Sequence, residues 1–242
     1  MLNLLLRIPA LIGMAALIVA CSHATERPYR LPYANGVEVE INADHTDHKN
    51  PPEKMFDLRA TQPDQVVVAA APGWVRFIKD GGNSSAPTNN YVWIEHPLDY
   101  CQPSGSGVPG GLAGNCRNCS EGPGLCNEWT LYAHMREGSV QNAPPNGAGL
   151  EIGDWVSEGQ AIGVEGDVGC QQFSPPCTRH LHFTVFAFEI DSVLSTPSAN
   201  GDYEDYADLH GRPERVPLFC TADGLRQVGT GEDHVAGPCP PL

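Results

Sequence analysis

The chain has 242 residues, of which 41% are hydrophobic, and this suits one domain of moderate size with its own core. Glycine (26 residues) and proline (22 residues) are both frequent, which favours short strands joined by turns over long helices. The formal net charge of −15 at pH 7 argues against a nucleic acid as partner, because binding to a phosphate backbone requires a basic surface.

The first twenty residues have the pattern of a signal peptide. Arg7 precedes a mostly apolar run from Ile8 to Ala20, which is shorter than a helix that spans a bilayer. The junction Ile18-Val19-Ala20-Cys21 resembles the lipobox of bacterial lipoproteins; an ordinary secretory signal that ends near a cysteine is the alternative. We therefore expect an exported protein that is lipid-anchored through Cys21 and faces the periplasm, and Ser22 favours the outer membrane.

Eight cysteines remain when Cys21 is set aside, and an even number in an exported protein predicts disulfide bonds. Their spacing favours two local pairs, Cys170–Cys177 and Cys220–Cys239. The other four would then pair among themselves, and they are Cys101, Cys116, Cys119 and Cys126. Cys116-x-x-Cys119 followed by Cys126 could instead bind a structural metal, which an oxidising compartment disfavours.

From residue 36 onward the chain is expected to form β-strands. Val37, Val39 and Ile41 alternate with polar residues, which is the period of a half-buried strand. Apolar runs at residues 65–70 and 74–78, separated by the turn signal Pro72-Gly73, predict a hairpin. Further strands are predicted at residues 91–95, 129–133 and 181–188, with a last short one at 216–219.

No segment outside the signal peptide has a helical period over three turns, so the predicted fold is all-β, an antiparallel sheet or sandwich. The predicted organisation is a signal peptide at 1–20, a lipidated tether at 21–35 and a main domain at 36–195. A cysteine-rich insert interrupts the main domain at 99–128, and a C-terminal extension at 196–242 carries the last short strand.

The sharpest chemical signal is the sequence His180-Leu181-His182-Phe183. Side chains alternate across a strand, so both histidines point to one face while Leu181 and Phe183 point to the other. Two imidazoles on one face can converge on a single metal ion. Two surface histidines on a half-exposed strand are the alternative for this motif alone.

Three further signals precede it in order: Asp44-His45-Thr46-Asp47-His48 with Met55-Phe56-Asp57-Leu58, Leu131-Tyr132-Ala133-His134-Met135, and a glycine-containing segment at 152–163. Together these motifs resemble the lysostaphin/LytM family of zinc endopeptidases, which cut peptide bonds in bacterial peptidoglycan. That family has an upstream His and Asp, then Tyr-x-His-Leu, then Gly-x-x-Val-x-x-Gly-Gln-x-Ile-Gly, then His-x-His-Phe. The resemblance covers residues 36–190 and implies an antiparallel sheet with a groove that holds one Zn²⁺.

The resemblance also implies a role for each site residue. His48, Asp57 and His182 would be the zinc ligands, and His134 and His180 would be unligated catalytic residues. In such a site the metal acidifies a water and polarises the scissile carbonyl, while the imidazoles transfer protons and stabilise the oxyanion. The motifs do not show which histidine is the base, although the position of His180 beside His182 favours His180.

The sequence departs from the family pattern at two points. In the short-spaced family form the Asp follows the His by four residues, whereas Asp57 lies nine residues after His48 and twelve after His45. Longer spacings occur in the family, so His48 is the expected ligand and His45 is the alternative. Thr184 stands where Glu often follows the His-x-His-Phe motif, at a position that holds no ligand.

Two other functions are compatible with parts of the pattern. An inactive LytM-like domain would bind the wall or regulate another wall hydrolase as a protein partner, but such domains typically lose ligands. A biotinyl or lipoyl carrier shares the Gly153-Asp154-x-Val156 pattern, yet it needs a modifiable lysine, and none follows Lys79. We therefore expect a zinc metalloendopeptidase that acts on peptidoglycan.

Overall fold

The computed structural model describes residues 27–47, 54–83, 89–97, 127–170, 178–188 and 214–240. These residues contain fourteen strands: β1 Tyr29–Arg30, β2 Glu38–Ala43, β3 Met55–Ala60, β4 Val66–Val68, β5 Gly73–Lys79, β6 Tyr91–Pro97, β7 Asn127–Ala133, β8 Trp155–Val156, β9 Ala161–Val164, β10 Leu181–Phe188, β11 Glu214–Arg215, β12 Phe219–Thr221, β13 Gly224–Arg226 and β14 Asp233–Val235. Among the described residues, no helix has the length and apolar character needed to span a membrane.

Nine strands form one antiparallel sheet. Eight of them follow the order β14-β2-β3-β10-β7-β6-β5-β8. The ninth, β11, pairs with the second half of β10, on the same edge of β10 that β3 occupies in the first half. A three-stranded sheet has the order β1-β12-β13, in which β1 and β12 run parallel, and β4 pairs with β9. The predicted all-β, antiparallel fold is confirmed. Its longest strand, β10, lies in the middle of the large sheet and carries the His180-x-His182 motif at its start.

One face of the large sheet packs against the small sheet to form the main core. Phe56 and Phe183 lie opposite each other on β3 and β10, and their rings lie 5.4 Å and 5.8 Å from the ring of Phe219 on β12. Tyr29 of β1 contacts Phe183 at 6.4 Å. Full burial of a side chain of this size stabilises a fold by about 1.5–3 kcal/mol, so these aromatic contacts hold the two sheets together.

The opposite face of the large sheet carries a second apolar cluster that contains Trp93, Trp129 and Phe186. His182 lies on this same face, because it pairs with Ala133, which is also a member of the cluster. The candidate site therefore lies at the edge of this second apolar cluster, on the face of the sheet opposite the main core.

The predicted hairpin at residues 65–78 is wrong. Val67 of β4 pairs with Gly163 of β9, whereas Val75 of β5 pairs with Ile94 of β6. The Pro72-Gly73 turn instead takes the chain from the two-stranded sheet into the large one. A turn signal shows only that the chain changes direction, and pairing partners distant in sequence decide where each strand lies.

The predicted tether is too long at its C-terminal end. Tyr29, Leu31 and Tyr33 are fully buried, and the Tyr33 hydroxyl donates to the carbonyl of Leu58 at 2.9 Å. Residues 27–35 therefore belong to the folded domain, and the rest of the predicted tether lies outside the described residues. Prolines and charged neighbours hide this alternating apolar pattern in the sequence.

The C-terminal region is likewise part of the domain and not an appendage with one strand at 216–219. Four short strands lie between residues 214 and 235, and they pair with β10, β1 and β2 as well as with each other. The buried Glu128 carboxylate accepts hydrogen bonds from the Tyr29 hydroxyl at 2.8 Å and from Arg215 Nη2 at 2.9 Å. This network joins the two ends of the described chain to β7.

Candidate metal centre

Strand pairing brings three of the predicted site residues together. Asp57 on β3 lies directly opposite His182 on β10, and His182 lies opposite Ala133, the last residue of β7. Residues that face each other across antiparallel strands point to the same face of the sheet, so the side chains of Asp57 and His182 meet. His134 follows Ala133 directly and reaches the site from the end of β7.

The backbone of His134 is left-handed, with φ of 63°. L-residues adopt this region rarely, and histidine is among the few types that do so more often. The strand ends at this point, and Met135 continues in an isolated bridge with Glu165. The change of direction turns the His134 ring towards β10, where its centroid lies 4.5 Å from that of His180 and 5.9 Å from that of His182.

The three histidines form one buried cluster. Each of His134, His180 and His182 is at most 5% exposed, and each offers a ring nitrogen within 4.8 Å of the others. The carboxylate of Asp57 borders the cluster, with Oδ1 at 2.9 Å from His182 Nδ1 and 3.5 Å from His180 Nε2. Within the described part of the chain, no other group of three such residues lies this close together.

Backbone carbonyls orient two of the three rings. His134 Nδ1 lies 2.7 Å from the carbonyl oxygen of Val168, and His180 Nδ1 lies 2.6 Å from that of Thr178. A carbonyl oxygen only accepts, so both rings carry a hydrogen on Nδ1. In the neutral ring Nε2 is then the basic nitrogen, and the tautomer follows from these two hydrogen bonds.

Burial, together with the neighbouring His180 and His182, lowers the pKa of His134 to about 3, although the hydrogen bond to Val168 and the charge of Asp57 oppose the shift. A desolvated imidazole beside two others loses its proton readily, because the cation would be poorly solvated and repelled. His134 is therefore neutral at physiological pH, and its Nε2 is the hydrogen-bond acceptor of the ring.

The donor set fits a zinc ion. Imidazole nitrogens and a carboxylate are ligands that zinc prefers, and catalytic sites take three of them and leave one position open. Ligands of a tetrahedral zinc with bonds of about 2.0–2.1 Å stand about 3.3 Å apart. Asp57 Oδ1 and His182 Nδ1, which belong to two predicted ligands, are 2.9 Å apart, near that value.

The predicted site residues have different outcomes. Asp57, His134, His180 and His182 lie together, whereas His48 lies outside the described residues. The alternative ligand His45 packs its ring 5.9 Å from that of Phe56. The side chain of Phe56 points into the main core, away from the face that carries Asp57. The structure therefore does not bring His45 to the cluster.

Two of the predicted disulfide cysteines form a bond that the structure describes. Cys220 and Cys239 are linked, with Cα atoms 5.2 Å apart, and this is the pairing that their spacing predicts. Cys170 also takes part in a disulfide. The remaining cysteines of interest lie outside the described residues: Cys21, Cys101, Cys116, Cys119, Cys126 and Cys177.

An ion pair with a buried carboxylate lies beside the cluster, and the sequence analysis does not predict it. Arg179, the residue before His180, lies 3.4 Å from the fully buried Glu165 and donates to the carbonyl of Ala60 at 2.9 Å. Burial raises the pKa of Glu165 to about 7, although Arg179 lowers it. The pair ties the start of β10 to the end of β3. In the sequence, Glu165 is one acidic residue among 29 acidic residues, and nothing marks it as buried.

No protein-family model matches the chain, and a comparison with curated proteins also finds no match. Among solved structures, the chain is similar to Helicobacter pylori Csd3, with a TM-score of 0.36 and 19% identity over 69% of this chain. A zinc-containing peptidase from Vibrio cholerae has a TM-score of 0.32 and 19% identity over 67% of this chain. A chain of the SpoIIQ–SpoIIIAH pore-forming complex has a TM-score of 0.39 and 17% identity over 69% of this chain.

The chain spans 33% of the Csd3 chain, 37% of the Vibrio cholerae peptidase chain and 87% of the chain from the pore-forming complex. The chain resembles LytM-type peptidases in its sequence motifs. The similarity to these solved structures is too distant to carry an argument, so a functional assignment depends on the site residues themselves.

Proposed function

We propose that this protein is a zinc metalloendopeptidase that hydrolyses peptide bonds of bacterial peptidoglycan. The observation that supports this most directly is the buried cluster of His134, His180 and His182 with Asp57 at its border. The order of the motifs in the sequence supports the substrate class, because the same order occurs in endopeptidases of the cell wall.

His182, Asp57 and His48 would hold the ion. When bound, zinc supplies Lewis-acid polarisation of the scissile carbonyl and lowers the pKa of a water. Asp57 and His182 already face each other at 2.9 Å, so little rearrangement is needed for both to act as ligands. His134, His180 and His182 are an alternative ligand set that shares His182, and metal binding by single-residue variants separates the two.

His180 and His134 would transfer protons. Both rings hold their Nδ1 hydrogen on a backbone carbonyl, so Nε2 is the atom that accepts a proton from the attacking water and returns it to the leaving amine. His180 is the proposed base, since it lies beside the ligand His182. His134, kept neutral by burial, would complete the pair from the end of β7.

We further propose that the protein is exported and anchored through Cys21 in a membrane that faces the periplasm. The lipobox-like junction supports the anchor. The Cys220–Cys239 bond supports export, because disulfides persist in oxidising compartments and are rare in the cytoplasm. Peptidoglycan would then be within reach of the anchored domain.

The test uses the mature chain with Cys21→Ser, purified in soluble form. Bound zinc is quantified, and purified peptidoglycan is digested and searched by mass spectrometry for new amino termini. About one zinc per chain together with new amino termini, and no new reducing sugar ends, is the expected result. Full zinc occupancy without cleavage would contradict the peptidase proposal and leave a wall-binding or regulatory domain.

A further inference from the structure

We propose that the disulfide of Cys170 positions the two proton-transfer histidines, by fixing the two backbone carbonyls that orient their rings. The inference rests on the proposed function only for the catalytic role of His134 and His180. The cross-link itself contains neither a metal ligand nor a residue that transfers a proton.

Both orienting carbonyls belong to the connection between β9 and β10. Val168 lies near its start and accepts from His134, and Thr178 lies near its end and accepts from His180. The two histidines come from different parts of the chain, but a single connection holds both rings. Movement of either end of this connection would release one of the rings from its carbonyl.

The side chain of Cys170 lies against the other end of this connection. Its sulfur lies 3.6 Å from the carbonyl oxygen of Thr178, the same oxygen that accepts from His180. Cys170 is disulfide-bonded, and the sequence predicts as its partner Cys177, which precedes Thr178 and lies outside the described residues. A bond between these two cysteines would cross-link the Val168 end to the Thr178 end directly beside both acceptors.

The first end is also held from outside the connection. The amide of Cys170 donates to the carbonyl of Asp167 at 3.0 Å, which closes a turn around Val168. Gly169 within this turn has φ of 88°, and a Cβ there would lie 1.8 Å from Asn89 Oδ1. The turn is therefore packed tightly against Asn89, and a Cys170–Cys177 bond would extend this anchorage to Thr178.

The positions of these carbonyls decide the tautomer of each ring. A neutral imidazole whose Nδ1 loses its acceptor also populates the form with hydrogen on Nε2, which cannot accept a proton there. Asp57 and His182 lie on β3 and β10 and are held by strand pairing, so the cross-link does not determine their positions. Loss of the Cys170 disulfide should therefore reduce kcat without reducing the affinity for zinc.

The experiment compares two double variants of the soluble, zinc-loaded protein. Cys170→Ser/Cys177→Ser removes the proposed positioning bond, and Cys220→Ser/Cys239→Ser removes a disulfide elsewhere as the matched control. The measurements are the ¹⁵N NMR spectra of the imidazole rings, the zinc affinity, and kcat and KM on peptidoglycan. Peptide mapping of the unreduced protein identifies the partner of Cys170.

The first variant should lose the single Nδ1–H tautomer of His134 and His180 and show kcat lower by about 10–100-fold, the usual cost of removing an orienting partner. Its KM and zinc affinity should stay unchanged, and the control should keep both tautomers and kcat. Retained tautomers in the first variant, equal losses in the control, or a partner other than Cys177 would overturn the inference. If the wild-type protein cuts no peptidoglycan, the proposed function fails, and the NMR comparison still decides this inference.

Discussion

His182 Nδ1 lies 2.9 Å from Asp57 Oδ1, although 125 residues separate the two in the chain. The contact exists because β10 and β3 pair antiparallel in a register that sets these residues opposite each other. A carboxylate and an imidazole at this distance can share either a proton or a metal ion. Removal of either side chain should therefore weaken metal binding.

His182→Ala should be both metal-poor and inactive. Loss of one of three ligands leaves a pair that holds zinc poorly, and catalysis depends on the bound ion. Bound zinc and the rate of peptidoglycan cleavage are measured on the folded variant, with its near-UV circular dichroism matched to the wild type. Full zinc occupancy in this variant would contradict the ligand assignment.

His180→Ala is the matched comparison, because His180 lies two residues away on the same face of the sheet. It should retain zinc and lose about 10²–10⁴-fold in kcat, the usual effect of removing a general acid or base. Zinc loss equal to that of His182→Ala would instead favour the three-histidine ligand set. Unchanged kcat would exclude His180 as the base.

Glu165 should make the folded state less stable as the pH rises from about 4.5 to 7. Its carboxyl has a pKa of about 7 in the folded protein against an ordinary value of 4.5, so the unfolded chain releases the proton first. This loss of folding stability is absent below about pH 4.5 and complete above about pH 7, where it amounts to about 3 kcal/mol. Glu165→Gln should lack this loss.

Urea unfolding at pH 5 and pH 8 measures the effect in wild type and in Glu165→Gln. Glu151→Gln changes an exposed carboxylate and serves as the control, which should follow the wild type. An equal pH dependence in Glu165→Gln and wild type would show that the buried carboxyl does not titrate in this range.

Removal of the Cys220–Cys239 bond should destabilise the domain without abolishing its fold. The two cysteines are 19 residues apart, and a closed loop of this size is worth about 3 kcal/mol in the chain-entropy account. Cys220→Ser/Cys239→Ser should therefore unfold at lower urea concentration, and its unfolding free energy should depend more steeply on urea, because the unfolded chain is less compact without the cross-link. An unchanged midpoint would mean that the bond adds no net stability.

Cys21→Ser should release the protein from the membrane. Without the thiol no diacylglycerol can be attached, and a lipid-anchored protein then loses its only acyl chains. Fractionation of cells and labelling with a radioactive fatty acid measure the two consequences, with Ser22→Ala as the control. Unchanged membrane association and unchanged labelling would each contradict the anchor.

The sequence alone determined much of the fold class and the faces of its strands. The alternation around β10 predicts that Leu181 and Phe183 point away from the face that carries His182, and all three residues are placed accordingly. This was predictable because side-chain direction in a strand depends only on position along the strand. The disulfide between Cys220 and Cys239 could be predicted in the same way, from local spacing.

Only the tertiary structure decided which strands pair and what surrounds the histidines. Tyr29, Leu31 and Tyr33 were predicted as tether, because their burial depends on strands that lie far along the chain. The orienting groups of the site are the carbonyls of Val168 and Thr178, and every residue has a carbonyl, so no residue type marks them. A sequence pattern records side chains and local period, whereas backbone acceptors and strand partners are set by contacts between distant segments.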